Sequence, residues 1–216
     1  IELLASLRAT PASLDSAEAQ TALDCHVATL RYASGAAQAI DPLAPGEHLI
    51  VLAAAAAMLA GRNAWGRSIA AFDAAMRRAA PGVPADSKAN RALAVMGNNL
   101  AAAFEEKADR SNDETRTMLE AAHAGLKYWK IAGTWLEEER AHYRLARCFL
   151  QAGDGAAAVH SAQQCVAVCE AHSAPAFERF FGHAVLGLAH RAAGNAAAFG
   201  AACARARHWV EQVEPD

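Results

Sequence analysis

Apolar positions along this chain recur at intervals of three and four, interrupted every 15 to 20 residues or so by Gly, Pro or a polar cluster. That is the period of an amphipathic helix, and no segment sustains the period-2 alternation with β-branched residues that a strand needs. The punctuation places the helices. Thr10-Pro11 reads as an N-cap with proline in the first turn, opening a helix to about Ala33. Ser34-Gly35, Asp41-Pro42 and Pro45-Gly46 interrupt the next stretch. Helices over Glu47–Ala60 and Ala64–Ala80 follow, closed by Pro81-Gly82 and Pro84. Another runs from about Asp86 to Lys107, before a charged connector, Glu105 to Glu114. Ser111 to Glu114 and Thr134 to Glu137 both have the Ser/Thr-x-x-Glu pattern of a capping box and start two further helices. Pro175 opens one that ends at Ala193, and Asn195 caps the last. The chain is predicted to be all-α.

Three of the breaks are near copies of one another: MLAGRN at Met58–Asn63, FLQAGD at Phe149–Asp154 and HRAAGN at His190–Asn195. Each ends an apolar segment in Ala-Gly plus a polar residue and is followed by a second Ala-rich segment. Glycine after the last helical residue accepts the left-handed conformation that turns the chain tightly. The spacing of about 40 residues, with room for one degenerate copy between Gly61 and Gly153, is the period of an α-solenoid.

The later repeats can be matched position by position. In Glu139–Glu170 the residues are His142, Leu145-Ala146, Phe149, Gly153-Asp154, Ala158 and Cys165; in Phe180–Arg207 they are His183, Leu186-Gly187, His190, Gly194-Asn195 and Ala198. Met96-Gly97 with Leu100 repeats the pattern without its Gly turn. These segments resemble tetratricopeptide repeats, in the long-linker variety found in bacterial regulators and adaptors. The resemblance implies a right-handed superhelix of about four antiparallel helical hairpins. It would span one domain: N-terminal helices over 1–46, then hairpins over 47–85, 86–133, 134–174 and 175–216. It also implies a concave face lined by the first helix of each hairpin, where peptides lie.

Composition narrows the function. Hydrophobic residues are 54% of the chain but aromatics only 6%, and alanine alone is about a quarter. Small side chains let helices approach closely. A net charge of −3 argues against a nucleic-acid binder working by phosphate neutralisation. The longest uncharged apolar run, Leu49–Gly61, is too short to span a bilayer. Five cysteines, an odd number without paired spacing, point to a reducing, cytoplasmic compartment rather than a disulfide framework.

Chemistry is sparse. There is no Gly-rich phosphate loop, nucleophile elbow, HExxH or pair of carboxylates on one helical face, so no enzyme is predicted. Glu105-Glu106 and Glu137-Glu138-Glu139 read as solvated charge runs. Cys165, Cys169 and His172 share one stripe at i, i+4 and i+7, a set that could hold zinc or copper; without a second Cys-His pair they read better as packed side chains, and no metal or cofactor is expected. Trp65, Trp129, Trp135 and Trp209 fall near helix ends and read as packing staples. More informative are Arg140, Arg144 and Arg147, again at i, i+4 and i+7. By resemblance they face the groove, with Asn98 on the preceding first helix and Leu188, between Ala184 and Ala192, on the following one. Three guanidiniums suit bidentate recognition of carboxylate. The expectation is a non-enzymatic scaffold for a protein or peptide with acidic or C-terminal carboxylate anchors, with arginines exposed enough that their reversal leaves stability unchanged. The competing possibilities are that the arginines pair with Glu137–Glu139 or Glu106, and that the solenoid is a small-molecule- or metal-responsive regulator. The apolar ends of a solenoid also permit a homodimer.

Overall fold

The computed structural model describes residues 16–213, and these are all-helical, without strands. We number the helices α1 (Ala17–Ser34), α2 (Pro45–Ala60), α3 (Trp65–Ala79), α4 (Lys88–Glu106), α5 (Asn112–Ala132), α6 (Trp135–Gln151), α7 (Gly155–Ala171), α8 (Ala176–Ala192) and α9 (Ala196–Val210), with a short 3-10 turn over Ala37–Ile40. Among the described residues, no helix is long and apolar enough to cross a membrane. The Thr10-Pro11 start lies outside the described residues; within them, α1 is capped by Ser16, whose hydroxyl accepts from the Ala19 amide.

The chain divides into two compact units, Ile1–Met96 and Gly97–Asp216. In the first, α1 packs on α2 and α2 on α3, with the 3-10 turn against α1. Its core includes Cys25, Ala28, Ile40 and Val51, flanked by Tyr32, Leu43 and Ile50. Two buried polar side chains there donate to backbone: Ser68 to the Ala56 carbonyl at 2.7 Å, and the Asn90 amide nitrogen to that of Pro84 at 2.7 Å. In the second unit α5 packs on α6, α6 on α7, α7 on α8 and α8 on α9, and α6 also touches α8. Small residues set these approaches. Ala146, Ala158, Ala162, Val185 and Ala189 form one buried cluster, with Tyr143, Phe149 and Leu186 around it.

The capping boxes form as the sequence predicts. Ser111 and Glu114 exchange bonds at the start of α5, and the Thr134 amide donates to Glu137 at the start of α6. Gly153 and Gly194 are left-handed, with φ of 78° and 73°. The first Ala-Gly turn differs. Gly61 stays right-handed at φ −61°, and Asn63 takes the left-handed position at φ 57°, which an Asn tolerates. In helix α9, Ala202 and Ala206 are buried, Phe199 and Cys203 half-buried, and Val210 exposed. Its polar residues Arg205, Arg207, His208 and Glu211 are exposed.

Candidate functional site

In the second unit, Asn98 from α4, a run of α6 side chains and the start of α8 enclose a depression of about 300 Å³. Helix α6 contributes Glu139, Arg140, Tyr143 and Arg144, which recur at three- and four-residue steps and so share one face. Helix α8 adds Phe177, Glu178 and Phe181. The rings make a wall: Phe181 meets Tyr143 edge-on at 6.1 Å and Phe177 at 4.9 Å. Phe177 is 49% exposed, unusual for so large an apolar group. Of the residues predicted for a groove, Asn98, Arg140 and Arg144 come together here. Arg147 lies one turn on, and the exposed Leu188 does not line the depression.

The arginines pair with carboxylates, though not with those that lie nearest in sequence. Arg140 donates to Glu178 at 2.5 Å while staying 57% exposed. Arg144 and Arg147 both hold Glu105, which reaches them from the end of α4. Glu105 is 6% exposed and Glu139 1% exposed, so the two acidic runs are not simply solvated. The reason is register. Each run crosses a helix end where one residue of the set turns inward and its neighbours do not: Glu106 is exposed, and Glu137 and Glu138 are half-buried. The partner acids are Glu105 and Glu178, not Glu106 or the Glu137–Glu139 run.

Glu139 is the most perturbed acid of this site. Burial raises its pKa to about 7; the Cys165 thiol opposes that rise, the nearby Glu178 carboxyl adds to it and Arg140 lowers it slightly. Cys165 Sγ donates to Glu139 Oε1 at 2.9 Å. The other oxygen, Oε2, is buried and accepts no hydrogen bond among the described residues; Arg144 Nε is likewise buried without an acceptor. Two unsatisfied groups of opposite charge therefore border the same depression. No sequence motif announces the Glu139–Glu178 pair, because its members are on different helices. The one available signal was Glu139 itself, a charged residue at the inward position of a strongly patterned helix.

The other candidates disperse. Cys165 and Cys169 are buried, but His172 is exposed and stacks on Trp135 at 5.4 Å. Among the described residues no three His, Cys, Asp or Glu side chains converge as a metal-binding group. His142 and His183 are buried, and burial drives the pKa of His142 down to about 4. Trp129 is buried, while Trp209 lies under the Arg179 guanidinium at 4.6 Å. The first unit has a larger depression, about 610 Å³, between α1 and α2. Its lining is mostly apolar, with Cys25, Ile50 and Ala54 inside and Glu18 and Lys88 at the rim, and among the described residues it holds no buried polar atom lacking a partner. Compared with known proteins, the chain matches no family model, no curated protein and no solved structure at a significant level.

Proposed function

We propose that this chain is a non-enzymatic binding module built on a tetratricopeptide-like helical repeat, taking a protein or peptide segment on the face formed by α4, α6 and α8. One observation carries the reading. The depression on that face combines an exposed aromatic wall, a half-exposed guanidinium and unsatisfied polar groups of both signs, and it is lined by side chains from three alternate helices rather than by a single loop. Aromatic and arginine side chains supply most of the energy in peptide and protein recognition. The arginines are less available for acidic anchors than the sequence alone implies, since Glu105 and Glu178 already occupy them in part. A segment that brings an apolar side chain against Phe177 and polar groups of both signs fits better than a purely acidic one.

Placing a photoreactive amino acid at Phe177 in the full-length protein tests this. Irradiation in native extract is expected to crosslink a discrete partner segment, and Asn98→Trp, which fills the depression, is expected to abolish the crosslink. Absence of any crosslink from position 177, or one unaffected by Asn98→Trp, would overturn the reading.

A further inference from the structure

We infer that the depression between α4, α6 and α8 is a receptor for the free N-terminus of a peptide, with the α-ammonium seated on the Glu139–Glu178 carboxyl pair. The inference rests on the binding reading above and goes further by naming which end of the segment enters. Glu139 is almost wholly buried, borders the depression, and leaves Oε2 without a hydrogen bond among the described residues. Across from it, Glu178 accepts from Arg140. The neighbouring Glu178 carboxyl favours keeping a proton on Glu139 over two full charges side by side. An ammonium replaces that proton well, because it brings both positive charge and three donors to a site that has two carboxyls and the Asn98 amide oxygen.

The atoms that follow the ammonium in a peptide also have places. The first carbonyl is an acceptor, and Arg144 Nε is a buried donor without one. The first side chain meets Phe177 and Phe181, and ring faces add to the attraction of a nearby cation. Entry requires one rearrangement. Arg140 must release Glu178: its half-exposed guanidinium can swing into water, while the buried Glu178 carboxylate keeps a cationic partner because the ammonium takes the place that Arg140 leaves. A C-terminal carboxylate would satisfy Arg140 and Arg144 but would leave Glu139 facing a second negative charge.

The affinity is expected to depend on pH. The groups facing Glu139 are Arg140 and Arg144 on its own helix, Cys165 from α7 and Glu178 from α8, with the uncharged Asn98 from α4. The ammonium binds the ionised pair, so protonating Glu139 competes with it. Affinity therefore falls as the pH drops through about 7 and falls again above about pH 8, where the free α-amine loses its proton.

The test is calorimetric titration of the full chain at pH 7.5 with Phe-Ala-Ala, Leu-Ala-Ala and Ala-Ala-Ala amides, their N-acetylated forms, and N-acetyl-Ala-Ala-Phe bearing a free carboxylate. At least one free-amine peptide is expected to bind, to lose tenfold or more on acetylation, and to weaken several-fold at pH 6. Glu139→Gln is expected to remove the pH dependence, with circular dichroism reporting that the fold persists. Arg140→Ala, its fold checked by the same circular dichroism, is expected to tighten amine binding by freeing Glu178. Equal binding of acetylated peptides, no binding by any free-amine peptide, or weaker binding in Arg140→Ala would each overturn the inference. Preference for the free-carboxylate peptide would overturn it while leaving the peptide-binding reading in place. Binding of free L-phenylalanine as tight as that of the tripeptide would replace the peptide with a free amino acid.

Discussion

Glycine has three separate uses in this chain, and they give different mutational responses. At Gly153 the backbone is left-handed and an added Cβ would meet nothing within 4 Å, so the only penalty is conformational. Gly153→Ala is expected to cost about 1 kcal/mol and Gly153→Val more, read as a lowered melting temperature. Gly61, in the corresponding turn, is right-handed, and an added Cβ would make only ordinary contacts at 3.7 Å, so Gly61→Ala is expected to be neutral or slightly stabilising. The repeat motif alone treats these two positions as equivalent; only φ separates them. Two titrating residues oppose each other in the same manner. Glu139 binds its proton more tightly folded than unfolded, with a pKa of about 7 against 4.5, so its contribution to stability falls as pH rises across that window. His142 is the reverse: its folded pKa of about 4 lies below 6.5, so stability is lost as pH falls toward 4. Glu139→Gln is accordingly expected to gain stability relative to wild type between pH 5 and 7.5, by up to about 3 kcal/mol, in denaturant melts at each pH. A constant difference across that range would mean that Glu139 titrates normally.

Single elements are joined by contacts that short motifs do not encode. Helices α4 and α5 touch at Gly97 and Gly125, where a Cβ on Gly97 would lie 2.6 Å from the Ala121 carbonyl oxygen and 2.8 Å from Gly125 Cα. Backbone on backbone leaves no side chain to yield, so Gly97→Ala is expected to force the helices apart and destabilise by about 2 kcal/mol or more in thermal unfolding. The small residue of Met96-Gly97 is thus explained by close helix approach. The C-terminal end of α4 depends on Arg110, which donates to the carbonyls of Phe104, Glu105 and Lys107 at 2.7, 2.7 and 2.6 Å and to Gln151 at 3.0 Å. It satisfies acceptors that a helix end otherwise leaves to water. Arg110→Ala is expected to cost about 2 kcal/mol, with hydrogen exchange accelerated first in the last turn of α4. Glu105, in that same turn, changes what the arginine stripe means. Because Arg144 and Arg147 hold a buried carboxylate, reversing both to Glu would leave three acids together, and a substantial loss of stability is expected where the sequence suggested none. Retention of the wild-type melting temperature by that double variant would show that the ion pairs are incidental.

For the molecule as a whole, the low aromatic content and abundance of alanine give helices that meet through small side chains, and the structure has such contacts in both units. The helical class, the helix starts at Ser111, Thr134 and Asn195, and the left-handed turns at Gly153 and Gly194 were legible in the sequence. Their causes are local: a cap, a dihedral or a period lies within four residues of the feature it explains. The candidate site was only half legible. Spacing along one helix aligns Arg140, Arg144 and Arg147, but it cannot say that Glu105 and Glu178, about 40 positions away, would neutralise them. Nor can it pick Glu139 out of three consecutive glutamates as the one buried against Cys165. Those outcomes depend on how far each helix is rotated when it packs, a choice set by the volumes of many small side chains together. What the sequence determined by itself is everything that a helix decides within its own turns. Which charges are buried, which are paired and which face the depression was decided only when helices distant in sequence were brought within hydrogen-bonding distance.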